Sequence, residues 1–154
     1  MEKIISEKSF EKARANIVGQ KKNNPESEIV FSSYDDDLNR KVLEKLEIDI
    51  FVPLLGARKD WQKQRNSGLD NVMAKIAKSD GIVIGINFDE ILECKNLKDK
   101  AEILARVKQN IDLCRRNKLK MKFVFFSEGS SRNVYDLKAL GLVLGMPTWM
   151  VKGL

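Results

Sequence analysis

The run Ile82-Val83-Ile84-Gly85-Ile86 decides the fold class that this sequence predicts. A strand with one face in water alternates apolar and polar side chains, whereas an unbroken apolar run is typical of a parallel strand covered on both faces. Gly81, directly before the run, is the kind of residue that ends a helix. Two glycines that bracket a strand do not match a dinucleotide-binding loop, which needs a third glycine and opens a helix. The run therefore predicts a buried parallel strand and no dinucleotide site.

Working outward from this run, strand-like and helical segments alternate along the chain. The strand-like segments are 3–5, 29–31, 48–52, 82–86 and 123–126. The helical segments are about 9–20, 35–46, 67–80, 96–117 and 133–144, with a short final turn after Pro147. Because strands alternating with helices join as parallel neighbours, we expect the last four strands to be adjacent in one sheet, in chain order. The prediction is one α/β domain over residues 1–154, with a sheet that is open or curled into a barrel.

The longest predicted helix, over 96–117, has the clearest apolar face. Its predicted inward residues follow each other at intervals of three or four: Leu97, Ala101, Leu104, Val107, Ile111 and Cys114. Lys98 and Arg106 fall on the opposite side, so we expect both side chains on the outer surface.

Two other helix starts carry capping residues. Ser67 and Asp70 resemble a capping box. The helix behind them has the predicted inward residues Leu69, Val72, Met73 and Ile76. The run Asp35-Asp36-Asp37 precedes another helix; three carboxylates would also suit a divalent cation, but a helix cap explains them better.

The charge balance is basic. Lys and Arg total 28 against 22 Asp and Glu, which gives a net charge of +6 and a pI near 9.3. Such an excess favours a nucleic-acid partner without establishing one. The chain has no histidine. That absence excludes His metal ligands, His general bases and Ser–His or Cys–His nucleophiles.

Cysteine usage and hydropathy predict a cytoplasmic protein with no membrane attachment. Cys94 and Cys114 are interpreted as free thiols in a reducing compartment, although a lone pair is also compatible with a disulfide. No apolar run approaches the ~20 residues that a membrane span requires. The amino terminus lacks the apolar stretch of a signal peptide.

In parallel α/β folds, functional side chains gather in the loops that leave the carboxyl ends of the strands. The aperiodic stretch 54–66 is predicted to be a long loop of this kind, and 127–132 is another. Their guanidinium, ammonium and hydroxyl groups are suited to binding phosphate oxygens. The predicted phosphate-binding residues are Arg58, Lys59, Lys63, Arg65, Ser127, Ser130 and Arg132.

Each of these features also has a purely structural interpretation. Arg58-Lys59-Asp60 would equally form a solvated loop held by a local ion pair, and Trp61 would either stack on a base or close the edge of the core. Lys118, Lys120 and Lys122 follow a predicted helix end, where cations also favour the helix dipole. The sequence leaves these alternatives open.

Several blocks, taken in order and spacing, resemble one family. They are Arg58–Asp60, Ser67–Ala77, Gly81–Leu92 and Tyr135–Met146, with Val30–Ser33 and Asp49–Pro53 placed where that family has strands. Together they are similar to ribonuclease P protein component 3, the archaeal relative of the eukaryotic thirty-kilodalton subunit. No single block would be specific enough alone.

This resemblance implies a TIM-like β/α barrel related to the histidinol-phosphatase-type phosphoesterases. It also implies a non-catalytic, RNA-binding subunit, because in ribonuclease P the RNA cleaves the 5′ leader from precursor tRNA. The expected partners are ribonuclease P RNA, precursor tRNA and protein component 2. No cofactor or metal is expected on the protein itself, and Mg²⁺ is expected with the RNA. For the predicted phosphate-binding residues, the resemblance implies RNA as the ligand.

The sequence departs from that family in three places. Residues 61–66 look like an insertion that adds cations, the amino-terminal part is shorter, and the last helix and strand are lacking. Since a complete barrel takes roughly 200 residues or more, we expect a reduced or open barrel, or a truncated chain.

Two alternatives to the ribonuclease P hypothesis remain from the sequence. One is a barrel enzyme acting on a phosphorylated small molecule, with Asp35, Asp60 and Glu128 as the candidate acids and bases. The other is a scaffold that binds only proteins, which the same fold permits.

Overall fold

The computed structural model describes residues 2–154, which form one parallel sheet and a layer of helices. The strands are β1 (Glu2–Ile5), β2 (Glu28–Ser33), β3 (Ile50–Pro53), β4 (Val83–Asn87) and β5 (Met121–Val124). The helices are α1 (Phe10–Asn23), α2 (Asp36–Lys45), α3 (Asn71–Asp80), α4 (Phe88–Glu93), α5 (Leu97–Arg116), α6 (Val134–Leu144) and α7 (Thr148–Val151). The predicted α/β class is confirmed.

The strand order is β1-β2-β3-β4-β5, and every neighbouring pair is parallel. Adjacency of the last four strands in chain order is therefore confirmed. Because right-handed crossovers that all step in one direction put their helices on one face, this order is that of a β/α barrel rather than of a doubly wound sheet.

The two faces of the sheet are packed differently. Phe31, Phe51 and Ile84 point to the helices and belong to the main core. Val30, Ile50, Val52 and Val124 form a second, smaller cluster on the opposite face. This division follows from the alternation of side chains along each strand, and it explains why the central strands are apolar throughout.

The sheet is strongly curled towards the second cluster. A flat sheet of five strands would separate its edge strands by about 19 Å, at about 4.8 Å per step. Yet Lys122 of β5 forms ion pairs with Glu2 of β1 (2.5 Å) and Glu28 of β2 (3.2 Å). At Gly85 of β4, an added Cβ would lie 2.5 Å from Val52 Cγ2, so only glycine fits under the curled surface. The result is a reduced barrel with β1 and β5 as its edges.

Most helix boundaries agree with the predictions, but several side chains do not. Asp35 caps α2 as expected, and α5 begins at the predicted place, with Asn96 as its cap. Asp70, not Ser67, caps α3, and Val72 is exposed instead of inward. No helix within residues 2–154 has the length and apolar character needed to cross a bilayer.

The face that α5 buries is rotated from the predicted one. Its inward residues are Ile103, Arg106, Val107, Asn110, Ile111 and Cys114. Leu97 and Ala101 are exposed, and Arg106, which we expected on the outer surface, is buried. The reason is a set of hydrogen-bond partners for Arg106, described below.

Candidate functional site

The carboxyl edge of the sheet is organised by α4, which begins directly after β4. Glu90 accepts hydrogen bonds from the backbone N–H groups of Leu55 (3.0 Å) and Gly56 (3.0 Å) in the loop after β3. Asp89 accepts from the N–H groups of Phe126 and Ser127 (3.0 Å) in the loop after β5. Two adjacent carboxylates therefore fix the two loops that carry the predicted cations.

Arg58 lies inside the loop after β3. Its side chain is 4% exposed, and its Nη1 pairs with both carboxylate oxygens of Asp36 (2.8 and 3.0 Å). The same Nη1 donates to Asn66 Oδ1 (3.2 Å), and Nε donates to the Leu54 carbonyl. The Arg58 guanidinium is therefore enclosed by its own loop and by Asp36 of α2 instead of being exposed, and its contact with phosphate stays a prediction.

Arg106 of α5 also holds the loop after β3, through hydrogen bonds from its side chain to the loop backbone. Its side chain is 3% exposed. Its guanidinium donates to the carbonyls of Asn66 (3.1 Å), Arg58 (3.0 Å) and Leu55 (3.5 Å). It also pairs with Asp60 (3.1 Å). The planar fork of arginine suits several acceptors at fixed angles, so one side chain fixes both ends of the loop.

The loop after β3, which Arg58 and Arg106 hold in place and which we call the clamped loop, presents a short turn to solvent. Trp61 N–H donates to the Gln64 carbonyl (2.9 Å), and Gln109 of α5 donates to the Arg65 carbonyl (3.1 Å). Lys59, Lys63 and Arg65 are exposed on this turn, beside a Trp61 side chain that is 59% exposed. These three cations form what we call the turn cations.

The loop after β5 is held more lightly. Ser127 and Arg132 are exposed and Ser130 is half-buried. One nitrogen of Arg132, Nη1, donates to the carbonyls of Ser130 (3.1 Å) and Ser131 (3.0 Å) in its own loop. Its other nitrogens remain available to a ligand. Of the seven predicted residues, six are thus at least partly accessible, on two loops that flank α4; their role in RNA binding stays a prediction.

The acids proposed for the enzyme alternative are mostly engaged in structural bonds. Asp35 Oδ1 accepts from the N–H groups of Asp37 and Leu38 at the start of α2. Asp60 accepts from Asn66 N–H (2.9 Å) and from Arg106, and these two bonds lower the pKa of its carboxyl. Glu128 is exposed on the loop after β5. Among residues 2–154 there is no group of three or more Cys, Asp or Glu side chains arranged to hold a metal ion.

The sequence analysis missed Arg106, Asn66, Asp89 and Glu90, which set the shape of this edge. A signal for Arg106 was present, because Ile103, Val107 and Asn110 share its face at helical spacing. Arginine side chains are mostly exposed in proteins, so an arginine at a position on the apolar face is easily assumed to be exposed too.

Comparison with known proteins identifies relatives of this chain. No family model matches it. Ribonuclease P protein component 3 of Methanococcus maripaludis strain C7 is 30% identical over 112 residues, which are 72% of this chain and 43% of that protein. The Methanococcus vannielii protein of the same name is 28% identical over 118 residues, 76% of this chain and 46% of its own. The chain therefore spans less than half the length of these curated relatives. The resemblance inferred from the sequence blocks is confirmed.

The fold has a match among solved structures. A chain in a cryo-EM structure of archaeal ribonuclease P with mature tRNA superposes with a TM-score of 0.77 at 21% identity. The match covers 98% of this chain and 62% of that one. The reduced barrel is thus a known arrangement of strands and helices.

Proposed function

We propose that this chain is a non-catalytic protein subunit of ribonuclease P, which supports the RNA-catalysed 5′ maturation of precursor tRNA. The observation that carries the proposal is the homologous segment, which includes the clamped loop and the strands around it. The geometry supports a binding role, since Asp35 and Asp60 are occupied in structural bonds. The metal that the reaction needs would come with the RNA, and the protein would act in the cytoplasm.

The RNA-binding face in this proposal is the edge formed by the turn cations together with Ser127, Ser130 and Arg132. Exposed Lys and Arg side chains on a fixed backbone contact phosphates without paying to order a flexible loop. Trp61 adds a flat apolar surface on which a base can stack.

The protein partner in this proposal is ribonuclease P protein component 2, and α6 is the surface that suits it. Tyr135 (76%), Leu142 (52%) and Val143 (80%) are exposed apolar side chains on one side of α6. Trp149 of α7 is exposed nearby in sequence. A row of exposed apolar groups of this kind is typical of a protein–protein contact.

The experiment is reconstitution of precursor-tRNA cleavage from ribonuclease P RNA and component 2, with and without this chain. We expect the chain to restore cleavage at a magnesium concentration too low for the RNA alone. The variant K59A/K63A/R65A should lose this effect. Each removed cation should also flatten the slope of log affinity for RNA against log salt by about one unit.

The matched control is K12A/R14A/K22A, which removes three exposed cations from α1. It should keep both cleavage support and the salt slope. If the α1 variant lost RNA binding while the turn variant kept it, the RNA-binding face would be wrongly placed. If the unmodified chain gave no increase in cleavage, the proposed function itself would be wrong.

A further inference from the structure

A groove of about 830 Å³ lies among the helices, beside the clamped loop. Its walls come from the start of α2, residues 61–71, α3 and the end of α5. We call it the Trp61 groove. Its volume falls within the range of roughly 300–1,000 Å³ that ligand-binding clefts span, which leaves room for a nucleotide-sized group.

Trp61 is one of the residues that line this groove. The side chain is 59% exposed and belongs to neither apolar cluster of the described residues. Its backbone is nonetheless fixed by the hydrogen bond to Gln64 and by the arginine clamp behind the turn. An uncovered indole on a backbone held by hydrogen bonds is an arrangement that base-stacking sites use.

Cations also line the groove. Arg65 and Lys75 are exposed, and among residues 2–154 neither makes an ion pair. Arg116 also lines the groove and is paired with Asp112. Two uncompensated cations from different elements can neutralise two phosphates of one strand.

The groove lining also carries carboxylates. Asp36 is neutralised by Arg58, but Asp37 and Asp70 have no ion pair within the described chain. Arg40 also lines the groove and interacts with both carboxylates, which offsets part of their repulsion of phosphate. Carboxylates accept hydrogen bonds from the amino groups of bases. A duplex displays phosphates along both edges of its grooves, while an unpaired strand can turn its bases towards carboxylates and its phosphates towards cations.

We propose that the Trp61 groove binds an unpaired segment of RNA. One base stacks on Trp61, the phosphates lie near Arg65 and Lys75, and base amino groups face Asp37 and Asp70. This inference rests on the proposed function and deepens it, because it specifies which class of RNA the turn receives.

Tryptophan fluorescence tests the proposal directly. The chain has two tryptophans, and W149F leaves Trp61 as the sole emitter. An unpaired oligoribonucleotide of about eight residues should quench that emission at low salt, and a duplex of equal length should bind about tenfold more weakly. R65A/K75A should weaken quenching and flatten the salt slope by about two units, whereas K12A/R14A should not.

A second variant tests the role of Asp37 and Asp70. D37N/D70N keeps the cap of α3, because asparagine also caps helices. This variant should bind the duplex more tightly and so lose the preference for unpaired RNA. Circular dichroism and a thermal melt establish that each variant is folded.

The outcomes separate this proposal from the one it rests on. If the chain supports cleavage and is retained on RNA while Trp61 emission stays unchanged, the groove proposal is overturned and the proposed function stands. Quenching by component 2 instead of RNA would make the groove a protein contact and would also overturn it. A chain that neither binds RNA nor supports cleavage would overturn the proposed function first.

Discussion

The loop after β3 and the loop after β5 both carry cations, and the two are held in opposite ways. The first is held by two buried arginines, Arg58 of the loop itself and Arg106 of α5, which bond to backbone carbonyls of the loop. In the second, the cation is at the surface, and Arg132 bonds only to its own loop. Buried arginines therefore determine the shape of one loop, and exposed cations remain for binding on both. The position of a cation in the sequence does not reveal which task it has.

The largest expected effect comes from removing Arg106, which holds the loop after β3. Arg106→Ala should lower the free energy of unfolding by about 3 kcal/mol, because several buried carbonyls lose their donor at once. Arg132→Ala should cost less than about 0.5 kcal/mol, as exposed substitutions usually do. Urea unfolding measures both. Equal costs for the two variants would mean that the two loops are not held differently.

A matched pair of glycines sharpens the comparison. Gly68 and Gly129 both have positive φ (+70° and +91°), but an alanine Cβ at 68 would lie 2.5 Å from Arg58 Nη2, and at 129 it meets nothing within 4 Å. Gly68→Ala should therefore cost about 2 kcal/mol, from backbone strain and displacement of Arg58. Gly129→Ala should cost about 1 kcal/mol, from backbone strain alone. Thermal or urea unfolding of the two variants would show no difference if Arg58 were free to move.

Removing Asp89, which holds the loop after β5, should lower the free energy of unfolding by a smaller amount. Asp89→Ala removes the acceptor of the Phe126 and Ser127 N–H groups, but it also removes a buried oxygen, Oδ1, that lacks a partner in the described structure. The net loss of unfolding free energy should be about 1 kcal/mol. Hydrogen exchange at those two amides should accelerate, while exchange in the turn at residues 61–64 should not. Faster exchange in both loops would contradict independent attachment.

The smallest effect is a dependence on pH. Burial raises the pKa of Glu90 above its ordinary value of 4.5, despite the backbone N–H groups that favour its charged form. A carboxyl with a raised folded pKa contributes stability below its unfolded pKa and loses that contribution as pH rises through the folded pKa. Glu90→Gln should therefore flatten the decline in unfolding free energy above about pH 4.5. Asp60, whose pKa is lowered, has the opposite sign, so Asp60→Asn should flatten the loss at acidic pH below 3.8.

Much of the fold could be predicted because its signals are local. The apolar run at 82–86, the caps at Asp35 and Asn96, and the glycines that end α3 and α6 each lie within or next to the element they define. The parallel order then followed from the alternation of strands and helices.

The interior of the site was not predictable in the same way, because its bonds are long-range. Arg106 reaches acceptors 40 residues away at Asn66 and 51 residues away at Leu55. The helical spacing of Arg106 with Ile103, Val107 and Asn110 indicates at most that it is buried, and it does not identify these distant acceptors. The exposed cations were easier to identify, since a polar, aperiodic loop predicts exposure for most of its side chains.

The Lys122 bridge bears on how the chain folds. Every strand of the sheet pairs with its neighbour in sequence, so the sheet can grow from either end through contacts that close short loops. The bond from Lys122 to Glu28 joins residues 94 positions apart, so it closes a long loop instead of a short one. This bond can form only after the four strands from β2 to β5 are in place. We therefore expect curvature to be the last property that the folding chain acquires, set by a salt-sensitive contact between the first strands and the last.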